Sequence, residues 1–134
     1  LFARYGIRGI RGEAMDGFPS LSQSALPAMR KARKCQPDAN AANLYVLLTL
    51  MAEVDDTNIL TRSDPETLSY VKEQSRRFLE RHPVLGPRAL RELEEMNQEF
   101  IRRNLSPGGC ADLLAISLFF FRLEEEIRSI RFSL

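Results

Sequence analysis

The chain has 134 residues, of which 44% are hydrophobic and 28% charged, a balance typical of one soluble domain with a hydrophobic core. A formal net charge of +1 creates no overall field that would recruit nucleic acid or an anionic membrane. The two cysteines, Cys35 and Cys110, form no CxxC pair. Neither a disulfide framework nor a zinc site is therefore predicted, and a reducing, cytoplasmic location is expected.

Leu, Ala, Glu and Arg recur at helical spacing while alternating β-branched residues are rare, so the predicted fold is all-α. The first helix runs from Leu21 to about Arg33, with Pro27 as a candidate kink. The second is apolar on nearly every side and is therefore expected at the centre of the domain. About five helices are expected in one domain over residues 1–134, near residues 21–33, 39–53, 65–81, 87–101 and from Gly109 onward.

Three segments between these helices are rich in Gly, Asp, Asn, Ser or Thr. They are Gly6–Pro19, Val54–Ser63 and Asn104–Gly109. Each borders a predicted helix end, where backbone groups lack partners within the helix. These segments are the candidates for ligand binding.

The segment Ser106-Pro107-Gly108-Gly109 leads directly into the fifth predicted helix. The first turn of a helix carries unpaired N–H groups and partial positive charge, and glycines let a ligand approach the backbone closely. One interpretation is therefore an anion cradle. The other is a plain tight connection, in which Asp112 is an acid of the first turn stabilised by the helix dipole.

Asp55 and Asp56 directly follow the second predicted helix. A helix C-terminus carries partial negative charge, so two adjacent carboxylates there call for a compensating cation. Mg²⁺ would suit them, with Thr57 and Asn58 adding neutral oxygen ligands or hydrogen bonds. In the alternative interpretation, Asp56 caps a short turn with Thr57 and Asn58 while Asp55 points into water.

The first segment places Arg8, Arg11, Glu13 and Asp16 between glycines. Arginine beside flexible glycine suits phosphate contacts, whereas the alternative is a solvated loop anchored by Phe18 in the core. Taken together, the three segments favour a nucleotide or polyphosphate ligand.

The same segments carry a family resemblance. "RGEAMDGFP" (Arg11–Pro19), "DDTNILTR" (Asp55–Arg62) and "NLSPGGCADLL" (Asn104–Leu114) resemble, in order and spacing, motifs of the triphosphoribosyl-dephospho-coenzyme A synthases. The resemblance implies an enzyme that joins ATP to 3′-dephospho-CoA and releases adenine. Its product is the precursor of the prosthetic group of citrate lyase or malonate decarboxylase. A transition state resembling an oxocarbenium ion is implied, which carboxylates and Mg²⁺ on the triphosphate would both stabilise.

The resemblance also implies roles for individual residues. Asp56 and Asp112 are the implied Mg²⁺ ligands, and together with Glu13, the candidate general base, they form the implied catalytic set. Gly108 and Gly109 are implied to cradle phosphate. The residues implied to bind the nucleotide substrates are Arg11, Thr57, Asn58, Arg62, Asn104, Ser106, Gly108 and Gly109.

The chain departs from the family pattern in several places. Thr61-Arg62-Ser63-Asp64 stands where the family has His-Arg-Gly-Gly, and Cys110 stands where it has Ser. The family's N-terminal half is missing, so the chain is expected to be the C-terminal half, with the N-terminal half as a partner. His82, the one histidine, falls in a connection, where a surface role is expected rather than catalysis. Two other functions stay open, a metal-dependent N-ribosyl hydrolase and a non-catalytic fragment that binds nucleotide.

Overall fold

The structure, a computed structural model, describes residues 21–55, 65–105, 118, 121 and 125–130. All regular structure in these ranges is helical, which confirms the predicted all-α fold. Residues 118, 121 and 125–130 are helical and fall within the fifth predicted helix, whose start near Gly109 lies outside the described residues. No helix in the described ranges has the length and apolar character needed to cross a membrane. The described ranges contain four complete α-helices, α1 (Leu26–Cys35), α2 (Ala39–Glu53), α3 (Pro65–Arg81) and α4 (Pro87–Arg102).

A π-helical turn, Leu21–Ala25, runs without interruption into α1. Pro27 lies in the first turn of α1. Proline has no N–H group and its ring crowds the preceding turn, and a wider π turn gives that ring more room. Where the sequence predicted a kink near Pro27, the structure therefore changes from π-helix to α-helix.

Helix α2 is the central element, as predicted. Asp38 caps its N-terminus, because its carboxylate accepts a hydrogen bond of 2.8 Å from the backbone N–H of Ala41. The helix packs against both α1 and α3. Val46, Leu48 and Leu50 are almost completely buried. An almost wholly apolar helix is stable in water only when neighbours cover it on several sides.

Helix α3 has one buried face and one charged face. Its buried residues, Leu68, Val71, Ser75 and Phe78, follow the three- and four-residue spacing of an amphipathic helix. The Ser75 hydroxyl, which is completely buried, donates to the carbonyl of Val71 and is thereby satisfied. The helix begins at Pro65 as predicted. The predicted capping residue Asp64 lies outside the described residues.

Gln36 ties the α1–α2 link to the α3–α4 link. Its side-chain Nε2 donates to the carbonyl of Pro83 at 2.9 Å, and its Oε1 accepts from the N–H of Leu85 at 2.8 Å. Leu85 is fully buried. The two short links are therefore held side by side at one end of the bundle.

His82 is a contact between helices. Its side chain is 16% exposed, its ring lies 5.0 Å from that of Phe78, and its Nε2 donates to the carboxylate of Glu92 on α4. The side chain is therefore partly buried between α3 and α4, where a surface role was expected. The sequence places His82 in a connection, but the ring folds back over Phe78 because an imidazole beside a carboxylate can be buried with its polar group satisfied.

Candidate functional site

The helices run antiparallel, so their ends lie in two groups, one at each end of the bundle. Links 36–38 and 82–86 are short, so each joins antiparallel neighbours. Lys31 of α1 lies over the ring of Tyr45 of α2 at 5.8 Å, as expected for helices that run back along each other. Both short links lie at one end of the bundle, where Gln36 joins them.

At the opposite end, described residues border all three segments predicted from the sequence. The π turn begins here after the first segment, α2 ends and α3 begins on either side of the second, and α4 ends before the third. We call this the motif end, defined by Leu21, Asp55, Pro65 and Leu105. Two contacts tie its helices together, one between Asp55 and α3 and one between α3 and the end of α4.

The first contact is an ion pair. Nζ of Lys72 on α3 lies 2.8 Å from Oδ1 of Asp55. The two side chains are 30% and 46% exposed, respectively, so the pair is partly shielded from water. The cation required beside Asp55 is therefore supplied by the chain itself. Of the two interpretations given for Asp55, the structure supports neither Mg²⁺ coordination nor a carboxylate that points freely into water.

The second contact is a stack of three side chains. The rings of Tyr70 and Phe100 meet edge to face, with centroids 6.2 Å apart, a favourable geometry for aromatic pairs. The guanidinium of Arg103 lies 4.2 Å from the centroid of Tyr70, within the range of a cation–π interaction. This stack joins the early part of α3 to the end of α4.

Helix α4 ends in a Schellman motif centred on Asn104. The N–H of Leu105 donates a hydrogen bond of 2.9 Å to the carbonyl of Phe100, and the N–H of Asn104 donates one of 3.0 Å to the carbonyl of Ile101. Asn104 has a φ of 56°, a left-handed conformation that asparagine tolerates better than most residues. The start of the third segment is therefore a defined helix cap, and the exposed Asn104 side chain takes no part in the cap's backbone hydrogen bonds.

Positive charge accumulates where α4 ends. Glu99 accepts hydrogen bonds from both Arg102 and Arg103. The hydrogen bond from Arg102 is the largest cause that lowers the pKa of Glu99 below its usual range, followed by the bond from Arg103. The hydrogen bond that Arg103 donates to Glu99 in turn raises the pKa of Arg103. Two arginines therefore stabilise the partial negative charge of the helix C-terminus.

A cleft of about 480 Å³ lies between α2 and α4. Its walls are mostly leucine and methionine, and its polar lining residues are Asn40, Glu94 and Asn97. Leu105, the second residue of the third segment, lines the cleft and is 8% exposed. The cleft is therefore continuous with the motif end.

Of the residues predicted to bind or react, Asn104 lies within the described residues. Among the described residues, no group of three or more His, Cys, Asp or Glu side chains forms a metal-binding arrangement. The metal site therefore stays a prediction that rests on Asp56 and Asp112. The predicted site residues that lie outside the described residues are Arg11, Glu13, Asp56, Thr57, Asn58, Arg62, Ser106, Gly108, Gly109 and Asp112.

Sequence reasoning did not find Lys72, Tyr70 or Arg103. Lys72 is 17 residues from Asp55, and such a separation has no periodic signature. The unbalanced acids at the end of α2 did signal that some cation was needed. That signal was interpreted as a metal site because Mg²⁺ is bound by carboxylate oxygens.

A family model described as ATP:dephospho-CoA triphosphoribosyl transferase matches residues 1–131. The chain belongs to this family. A Streptococcus mutans protein named probable 2-(5''-triphosphoribosyl)-3'-dephosphocoenzyme-A synthase is 41% identical over 128 residues, which are 95% of this chain. A Klebsiella pneumoniae protein named as the same synthase is 42% identical over 118 residues, or 88% of this chain. No solved structure gives a significant match.

The matched relatives are much longer than this family member. The chain spans 43% of the Streptococcus mutans relative and 39% of the Klebsiella pneumoniae relative. The family match covers nearly the whole chain, and it does not support the assignment of the chain to a C-terminal half. The expected N-terminal half as a partner is likewise unsupported.

Proposed function

We propose that this chain transfers the triphosphoribosyl group of ATP to 3′-dephospho-CoA and releases adenine. One structural observation carries the proposal beyond family membership. The described residues that border the three motif segments all lie at one end of the bundle. Consecutive motifs are separated by a pair of antiparallel helices, so they join the fold where they can contribute to one site.

The reaction requires one bond to break and one to form. The N-glycosidic bond between adenine and ribose C1 breaks, and the bonding electron pair leaves with adenine. A ribose hydroxyl oxygen of dephospho-CoA forms the new bond to C1. Its proton passes to a base, for which Glu13 is the candidate, and the departing adenine nitrogen gains a proton, so that neutral adenine is released. Positive charge develops on the ribose during this exchange, so nearby carboxylates stabilise the transition state.

The motif end supplies the remaining functions. The N–H groups near Gly108 and Gly109 are the candidates for holding phosphate, with Asn104 and Arg62 as further contacts. Mg²⁺ bound by Asp56 and Asp112 would screen the charge of the triphosphate. Asp55 is not included among these ligands, because its carboxylate is paired with Lys72.

We also propose that the reaction takes place in the cytoplasm. Cys35 is an exposed free thiol, and exposed thiols are maintained in reducing compartments. The product would there become the precursor of the carrier-protein prosthetic group of citrate lyase or malonate decarboxylase.

The decisive experiment is product analysis. The chain is incubated with ATP, Mg²⁺ and dephospho-CoA, and adenine and the coupled product are measured by liquid chromatography and mass spectrometry. The proposal requires that adenine release depend on dephospho-CoA and match the coupled product in amount. Adenine with free ribose triphosphate would instead identify a hydrolase.

A binding experiment accompanies it. Calorimetric titration of ATP is carried out with and without Mg²⁺ on the unchanged chain and on Asp56→Asn and Asp112→Asn. Mg²⁺-dependent binding that both variants weaken supports the proposed site. ATP binding without any adenine release would overturn transfer by this chain and leave a nucleotide-binding fragment.

A further inference from the structure

The cleft between α2 and α4 is an apolar site whose occupant no comparison assigns. We propose that it binds the pantetheine arm of dephospho-CoA. This inference takes its ligand from the proposed function and adds a location for the part of the substrate that does not react. Three properties of the cleft support it: size and lining, polar groups, and position.

The size and lining suit a slender, mostly aliphatic ligand. The cleft of about 480 Å³ falls in the size range of small-molecule sites, which are largely apolar with a few placed polar groups. Leu44, Leu47 and Met51 contribute from α2, and Leu93 and Met96 from α4. The pantetheine arm is a chain of methylene groups with a dimethyl branch, and flexible methionines adapt to such a shape.

The polar groups suit the amides of the arm. Asn40 and Asn97 line the cleft from α2 and α4, and both are exposed. A carboxamide side chain both donates and accepts hydrogen bonds. Pantetheine contains two amide groups, each with one N–H and one carbonyl. The carbonyl and NH₂ groups of the two asparagines can therefore accept from and donate to these amides.

The position links the cleft to the proposed phosphate site. Leu105 and Phe100 line the cleft and are joined by the hydrogen bond that closes the α4 cap. Ser106, the next residue, begins the segment proposed to hold phosphate. In dephospho-CoA a diphosphate joins the pantetheine arm to the nucleoside. An arm in the cleft therefore directs the diphosphate towards the motif end, where the reacting ribose is required.

Methionine methyl groups provide a direct test. The chain has four methionines; Met51 and Met96 line the cleft, whereas Met29 is fully buried in the core. With ¹³C-methyl methionine in the full chain, addition of pantetheine should shift the signals of Met51 and Met96 and leave that of Met29 in place. Adenosine, which lacks the arm, should not reproduce the shifts. Signals of Met51 and Met96 that do not respond to pantetheine or to dephospho-CoA would overturn the proposal.

A matched pair of variants tests the same site through affinity. Met96→Trp fills the cleft, whereas Ile101→Trp places the same bulk on the 59% exposed Ile101 of the same helix. Met96→Trp should weaken dephospho-CoA binding by roughly tenfold or more, with ATP binding unchanged, and Ile101→Trp should change neither. Circular dichroism checks that both variants fold. Where Met96→Trp unfolds, Asn97→Ala replaces it and should also weaken dephospho-CoA binding.

The two proposals fail in different ways. Conversion of dephospho-CoA that Met96→Trp leaves unaffected would overturn the cleft assignment and preserve the transfer reaction. Pantetheine-induced shifts without adenine release would preserve the cleft and overturn transfer by this chain. A cleft covered by a second copy of the chain would show as a dimer in sedimentation, with no pantetheine shifts, and would also overturn the assignment.

Discussion

Nζ of Lys72 lies 2.8 Å from Oδ1 of Asp55, so an amine on α3 compensates the carboxylate that follows α2. The C-terminus of a helix disfavours acids, and this pair explains how one is tolerated there. The ion pair also gives the adjacent acids Asp55 and Asp56 different roles. Asp55 pairs with Lys72 across α2 and α3, while Asp56 is the acid proposed for metal binding.

These different roles predict that substitutions of Asp55 and Asp56 affect the Mg²⁺ dependence of ATP binding differently. Asp55→Asn should leave the Mg²⁺ dependence of ATP binding unchanged, because its carboxylate is already paired. Asp56→Asn should raise the Mg²⁺ concentration required for half-maximal ATP binding. Both are measured by calorimetry at fixed ATP and varied Mg²⁺. Equal effects of the two substitutions would contradict the assignment of Asp55 to the ion pair.

Stability gives an independent check on the same pair. Lys72→Met keeps most of the aliphatic stem but removes the charge, and it should lower the free energy of unfolding by no more than about 1 kcal/mol because the pair is partly exposed. Asp55→Asn should have a similar effect, and the double variant should add little to either. Urea denaturation of the four proteins forms a double-mutant cycle. Strictly additive effects would show that the pair contributes nothing in solution.

Asn104 combines a backbone role with a predicted side-chain role, and two substitutions separate them. Asn104→Gly retains the left-handed conformation without strain, so the protein should remain about as stable as before. Asn104→Ala should lower the free energy of unfolding by about 1 kcal/mol, because alanine disfavours a positive φ. Thermal unfolding measures both.

Ligand binding by these variants then reports on the side chain. If Asn104 contacts phosphate as the family resemblance implies, Asn104→Gly should weaken ATP or dephospho-CoA binding despite its unchanged stability. Full binding by Asn104→Gly would limit the residue to the helix cap. The glycine variant is the informative one, since the alanine variant alters both roles together.

Much of the fold was predictable from local signals. The apolar run of α2 indicated a central helix, and Pro65 and Pro87 marked the starts of α3 and α4 because proline suits the first turn. Contacts between distant side chains were not predictable. The Lys72–Asp55 and His82–Glu92 pairs depend on how the helices pack against each other. The spacing of residues along the sequence does not predict that packing.

The candidate site was predictable in part for a similar reason. Unbalanced acids and paired glycines at helix ends mark positions where a ligand would fit, and the family resemblance supplied its identity. The cleft had no such signal. Residues such as Leu47 and Met96 follow the same periodicity as core residues, and only packing shows that they leave an open space between α2 and α4.

Gln36 offers a test of how the end opposite the motifs is held. Gln36→Ala removes two hydrogen bonds to the backbone and leaves the N–H of buried Leu85 without its partner. The free energy of unfolding should fall by about 1 to 3 kcal/mol. Gln98→Ala is the matched control, since the Gln98 amide bonds only the exposed Glu94, and its effect should stay within about 0.5 kcal/mol. Equal effects in urea denaturation would contradict the role given to Gln36.

The His82–Glu92 contact predicts a pH dependence of stability. The hydrogen bond from His82 is the main cause that lowers the pKa of Glu92 below its ordinary value of 4.5. A carboxylate with a lowered pKa in the folded state contributes stability above its unfolded pKa, and loses that contribution as pH falls through the folded value. Glu92→Gln should therefore be less stable than the unchanged chain at neutral pH, and the difference should shrink below about pH 4. Glu95→Gln, on the exposed face of the same helix, controls for the loss of one charge. Urea denaturation at several pH values measures the difference, and a gap that widens on acidification would refute the proposed contact.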